Sequence, residues 1–60
     1  MELTVQELLS IKKIMLETYQ EEAKYKSYME DTKEPYLKEI FLKLSNQAIQ
    51  NRQLLLQFLN

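Results

Sequence analysis

The chain has 60 residues, with no cysteine, no histidine, no glycine and one proline, and its eight Lys+Arg against nine Asp+Glu give a formal net charge of −1. A chain this short is one domain at most, residues 1–60, and it buries too small a share of its surface for a lone core to be more than marginal. Disulfides are excluded and a structural zinc site lacks its usual ligands, so self-association, most simply as a homodimer, is the expected support.

Charges of both signs are mixed along both halves, which gives no electrostatic case for nucleic acid. The chain has no apolar run of roughly 18 residues, and it starts acidic and amphipathic rather than basic and then apolar. No membrane association is expected, and the chain reads as soluble and cytoplasmic.

The first helix opens at Thr4, which can cap the chain start while Glu7 returns the bond as a capping box; Leu3 and Leu8 occupy the two staple positions. At 100° per residue, Val5, Leu8, Ile11, Met15, Tyr19, Ala23 and Met29 fall on one broad face, flanked by Leu9 and Leu16 on one side and Ile14 and Tyr25 on the other. Glu22 and Lys26 interrupt this stripe as an i,i+4 pair in the favourable order, with stems long enough to reach outward. The periodicity predicts a helix over about 5–30.

Asp31, Thr32, Lys33 and Glu34 form a polar tetrad, and Pro35 suits the first position of a second helix, where its missing amide hydrogen costs nothing. That helix is predicted over about 35–59. Tyr36, Leu37, Ile40, Phe41, Leu44, Ala48, Leu55, Phe58 and Leu59 make its main stripe, with Glu39 and Lys43 as a surface pair. A connection this short forces the helices antiparallel. The fold class is therefore all-α, a helical hairpin, with pairing of two hairpins into a four-helix bundle expected. Its core is expected from Leu8, Met15, Tyr19, Ala23, Leu37, Ile40, Phe41, Leu44, Ala48, Leu55 and Phe58.

Leu42, Ile49 and Leu56 lie away from the main stripe of helix two at heptad spacing, the mark of a second helix-facing seam. Either they form an interface or they are three scattered surface residues. Gln47 and Asn51 lie inside the main stripe. They form a polar layer, with Gln47 facing Thr18, or they sit at its edge and meet water.

Nucleophilic or acid–base chemistry loses its obvious candidates with neither His nor Cys, and no glycine-rich phosphate loop is possible. Glu17, Glu21 and Glu22, and the group Glu30, Asp31 and Glu34, read as solvated charge runs. Tyr19, Tyr25, Tyr28 and Tyr36 read as amphipathic packing near the wet end of the hairpin rather than a platform for bases. No enzyme activity, cofactor or metal is expected.

Tyr19-x-x-x-Ala23, the break at Glu34-Pro35-Tyr36-Leu37, and the segment from Leu44 through Gln47, Ala48, Asn51 and Arg52 to Leu55 resemble a ferritin-like helical pair. More narrowly, Leu3-Thr4 with Glu7-Leu8-Leu9 and the spacing to Pro35 resemble the spore-coat F-type family of spore-forming bacteria, over nearly the whole chain. Metal-binding ferritin-like proteins carry a carboxylate on the first helix and a Glu-x-x-His pair on the second. This chain has Lys12 in the first place and Ala48 and Asn51 in the second, and it lacks the Gly-Trp-Tyr-like ending of coat F domains. The resemblance thus implies the scaffold without oxidase or storage chemistry, and a location that includes the spore coat. The function expected is that of a non-enzymatic structural or interaction protein built from self-associating hairpins. The alternative is a small regulatory or adaptor module that binds a helix of a partner.

Overall fold

The computed structural model describes residues 2–59 as two helices, α1 (Val5–Asp31) and α2 (Pro35–Leu56), with no strand among the described residues. They pack against each other as a rod of 46 × 14 × 11 Å. The direction is antiparallel, because only three residues connect the helices and residues near the turn meet each other, as in the Tyr28–Phe41 ring contact with centroids 5.5 Å apart.

Each helix start is held by its own side chains. The Thr4 backbone N–H donates to Glu7 Oε1 at 3.0 Å and the Glu7 N–H donates to Thr4 Oγ1 at 3.1 Å, the reciprocal pair that satisfies two otherwise orphaned donors. At the turn the Thr32 N–H closes α1 on the Tyr28 carbonyl at 3.0 Å, and the Glu34 N–H donates to Thr32 Oγ1 at 3.2 Å. Pro35 then begins α2, and the Glu34 carboxylate accepts from the Tyr36 N–H. At the far end α2 stops at Leu56, short of the expected 59. The Phe58 and Leu59 N–H groups bond three residues back, to Leu55 and Leu56, in a tightened closing turn.

The seam between the helices is narrow and mostly not aliphatic. From α1, Leu8, Ile11, Met15, Thr18, Glu22, Tyr25 and Met29 are buried or half-buried at alternating three- and four-residue spacing. From α2 the matching set is Phe41, Ser45, Ala48, Arg52 and Leu55. At its centre sit Thr18, Ser45 and Ala48, which are 4%, 1% and 1% exposed. Small side chains there let the backbones approach closely, and that approach fixes the rotation of α2 about its own axis.

This rotation revises where the expected core stands. Ala48 is buried, and Leu8, Met15, Ile40, Phe41 and Leu55 are half-buried, whereas Tyr19, Ala23, Leu37, Leu44 and Phe58 are exposed on the single hairpin. Only one edge of the main stripe, Phe41, Ala48 and Leu55, faces α1, joined there by Ser45 and Arg52, while Leu37, Leu44 and Phe58 turn outward. Gln47 does not face Thr18. It is exposed and donates through Nε2 to Asn51 Oδ1 at 2.9 Å, while Thr18 donates its hydroxyl to the Met15 carbonyl at 2.6 Å. Nor does Glu22 reach outward with Lys26, since it turns into the seam.

Enlarging the side chain at the closest approach should force the helices apart. Ala48→Leu is expected to destabilise the fold by about 1–3 kcal/mol, the usual cost of overpacking, read as an earlier midpoint in urea at fixed protein concentration. An unchanged midpoint would show that the seam tolerates a wider spacing.

Candidate interaction surfaces

Among the described residues no group of three or more acidic, His or Cys side chains is gathered as a metal ion would need, and no helix is long and apolar enough to cross a membrane. What the hairpin presents is a polar cluster in its seam and apolar rows outside it.

The cluster centres on Glu22. Its Oε1 accepts from Arg52 Nη2 at 2.7 Å across the seam and its Oε2 accepts from Lys26 Nζ at 2.7 Å along α1. The Arg52 guanidinium also lies over the Tyr19 ring, 3.9 Å from its centroid, a stacking geometry suited to a planar cation. With side chains 12% and 18% exposed, Arg52 and Glu22 form the one ion pair that joins the two helices among the described residues. The Arg52 Nη1 of this pair and the Ser45 hydroxyl two turns away are buried without a hydrogen-bond partner in the chain. Two donors hold the Glu22 carboxyl below its ordinary value of 4.5, the Lys26 ammonium first and the Arg52 guanidinium second, against the opposing effect of burial. This cluster links the two helices, with Glu22 and Arg52 largely shielded and Lys26 and Tyr19 about half exposed at its edge.

Leu42 and Leu56 are 45% and 41% exposed, and Ile49 between them is half-buried. They form one row along α2, on one flank of the seam. On the other flank Ile40, Leu44, Gln47, Asn51, Leu54 and Phe58 form a second row, again at heptad spacing, with Leu44, Leu54 and Phe58 39%, 58% and 47% exposed. Helix α1 packs between the two rows and leaves most of each exposed, with only Ile40 and Ile49 half-buried. It carries an outer row of its own, Val5, Leu9, Leu16 and Tyr19, each more than half exposed. At the open end of the hairpin a shallow groove runs between Leu3, Ile11, Leu55 and Phe58, edged by Gln6, Glu7 and Ser10.

Sequence periodicity alone picks out the Leu42, Ile49 and Leu56 row and puts Ile40, Leu44 and Phe58 in a main stripe, but passes over Leu54, Arg52, Ser45 and the inward turn of Glu22. The signal that could find them is the three-four spacing of Thr18-Glu22-Tyr25 and of Ser45-Ala48-Arg52, which is visible once polar and small residues are admitted to a seam.

The lowered titration of Glu22 gives the fold an acid limb, and Glu7 adds to it, held below 4.5 first by the Thr4 backbone N–H. A carboxyl depressed in the folded state contributes stability that is complete above its unfolded value and is lost as pH falls through the folded one. The melting temperature should therefore fall below about pH 4.5. Glu22→Gln should lower it at neutral pH, by leaving Arg52 without its counter-charge, and should make the acid fall shallower. A parallel fall in the variant and the parent chain would place the titrating groups elsewhere.

Compared with family models, curated proteins and solved structures, the chain matches none.

Proposed function

We propose that this chain is a non-enzymatic structural or interaction protein whose hairpins pair into a four-helix homodimer. The observation that carries this reading is where the apolar side chains lie. Fourteen large ones among the described residues are exposed, including Leu9, Leu16, Leu37, Leu44, Leu54 and Phe58, while Ala48 is the only buried hydrophobic residue. Folding two helices against an ordering cost of about 1–2 kcal/mol per residue needs apolar burial that one such hairpin lacks. A second hairpin laid on the main stripe of α2 supplies it. Contiguous apolar rows rimmed by charge are also how protein interaction surfaces present themselves.

The mechanism is geometric. The Leu37, Ile40, Leu44 and Phe58 stripe forms the shared core, and the Leu42, Ile49 and Leu56 row, with the outer row of α1 beside it, remains to dock a further component. A coat-like assembly of the spore-coat F type, working in the cytoplasm and at the spore coat, fits such a two-faced brick, and the ferritin-like resemblance of the sequence supports the same scaffold without its metal chemistry. A second reading is an adaptor that takes up a helix of another protein. The Leu42, Ile49 and Leu56 row favours it, since three aliphatic side chains at heptad spacing match one face of an amphipathic helix.

Self-association makes the melting temperature rise with protein concentration. Light scattering should give twice the 7.3 kDa chain mass at micromolar concentration. A monomeric mass at high micromolar concentration with a concentration-independent melt would sink the proposal.

The two rows of α2 should respond differently to truncation. Leu44→Ala removes a side chain from the shared core and should cost about 2–5 kcal/mol of dimer stability, with helicity and assembly lost together on dilution. Ile49→Ala should keep the dimer mass and most of the helicity while abolishing capture of the further component. If Ile49→Ala leaves mass, melting and partner capture all unchanged, that row is ordinary surface.

A further inference from the structure

We propose that the second copy docks antiparallel, α2 against α2 across a two-fold axis level with residue 49, with the Gln47 and Asn51 amides of both chains closing a polar layer at the axis. This rests on the self-association proposed above and adds to it the orientation and the residues that set it.

The outer row of α2 has the same spacing in both directions. From Ile40 through Leu44, Gln47, Asn51 and Leu54 to Phe58 the steps are four, three, four, three and four residues. An antiparallel copy centred on residue 49 therefore sets Leu44 beside Leu54 of the partner subunit, Ile40 beside Phe58 of the partner subunit, and Gln47 beside Asn51 of the partner subunit. In a two-fold interface each such contact occurs twice. Apolar side chains meet apolar ones, and the two polar positions meet each other at the centre.

The amides are matched in what they have left to offer. Within one chain Gln47 Nε2 donates to Asn51 Oδ1 at 2.9 Å, so the Gln47 carbonyl oxygen and the Asn51 amide hydrogens have no partner in the chain. Across the axis the Asn51 amide donates to the partner's Gln47 oxygen, and the reciprocal bond closes a ring of four amides. A buried polar group is tolerated where it is fully satisfied, and displacing the register leaves it unpaired in an apolar seam, which is costly.

Charge on α1 points to the same orientation. Tyr28 against Phe41 and Tyr19 against Arg52 set the level of the two helices, placing Gln20 and Glu21 beside residue 49. Glu17, Gln20, Glu21 and Lys24 line one exposed strip of α1 around that level, on the flank that also carries Tyr28. A two-fold axis there sets Glu17 beside Lys24 of the partner subunit, and Lys24 beside Glu17 of the partner subunit. Opposite charges paired across an interface favour the orientation that brings them together.

The natural chain has no cysteine, so single introduced cysteines report orientation cleanly. In the antiparallel dimer two copies of residue 44 lie about 15 Å apart along the axis, at 1.5 Å per residue, beyond the roughly 7 Å that a disulfide spans. Leu44→Cys and Leu54→Cys should each oxidise to dimer slowly alone, and a mixture of the two should give the mixed disulfide. Rapid disulfides from either variant alone would overturn the antiparallel orientation and leave self-association standing. Absence of any cross-link in a chain that light scattering shows to be dimeric would place the axis on another face and also overturn it. A monomeric wild-type chain would overturn the self-association reading as well.

Should the cysteine variants fail to dimerise when reduced, surface charge decides. Glu17→Lys turns two attractive contacts repulsive and should weaken dimerisation on the order of tenfold, while Glu17→Lys with Lys24→Glu should restore it. Wild-type affinity in Glu17→Lys would overturn the proposal.

Discussion

The close approach of α1 and α2 at Thr18, Ser45 and Ala48 is the constraint on which the rest of the molecule depends. Three small side chains leave little volume between the backbones, so the helices settle at that point and everything else follows from the rotation it imposes. Arg52 and Glu22 then meet at 2.7 Å across the seam, and Arg52 stacks on Tyr19. An ion pair largely shielded from water is a poor source of net stability, because removing two charges from solvent offsets most of their attraction. Its effect is on register. A slide of either helix would leave a guanidinium and a carboxylate without partners in the seam, and that state is strongly disfavoured.

A seam used for alignment cannot also be an aliphatic core. Each position of α2 given to Ser45, Ala48 or Arg52 is one from which a leucine is displaced, and the leucines appear on the flanks, as Leu44 on one side and Leu42 on the other. Local interactions hold the hairpin in shape: the Thr4 and Glu7 capping box, the Thr32 and Glu34 turn, and Pro35 at the first position of α2. Caps and propensity support helices only modestly, and most helical stability in proteins comes from packing an apolar face. In the proposed dimer, alignment within the chain and stability between chains are thus assigned to different faces of the same helix.

The helices and the turn were legible from local chemistry. Thr4 with Glu7 announces one start and Pro35 the other, and these signals act within three or four residues, so they can be read without knowing any tertiary contact. Rotation was not legible in the same way. Reading only apolar residues puts Leu37, Leu44 and Phe58 at the centre of the core, yet Ser45 and Ala48 make the contact because closeness, and not hydrophobicity, decides which face meets α1. Glu22 shows the same thing from the other helix. As an i,i+4 neighbour of Lys26 it reads as surface, and only the partner helix supplies the Arg52 that draws it inward. The row of Leu42, Ile49 and Leu56 was legible, because heptad spacing survives whichever face is turned toward α1, whereas Leu54 completes the opposite row only once the rotation of α2 is known.

Those two rows differ in a way that separates their roles. The row through Leu44 and Leu54 is long, is interrupted by Gln47 and Asn51, and joins on α1 a strip bearing both Glu17 and Lys24. Amides and paired charges add little to affinity and much to selectivity, since a mismatched partner leaves them unsatisfied. A surface built this way suits one partner in one orientation, and its own copy meets that condition by symmetry. The row of Leu42, Ile49 and Leu56 is short and purely aliphatic, so it can accept any helix of suitable width with few geometric demands. If the selective face is closed first by self-association, the permissive face is displayed twice, once on each side of the two-fold. Two weak and tolerant contacts held on one rigid rod then bind a repeated or multivalent component far better than either alone.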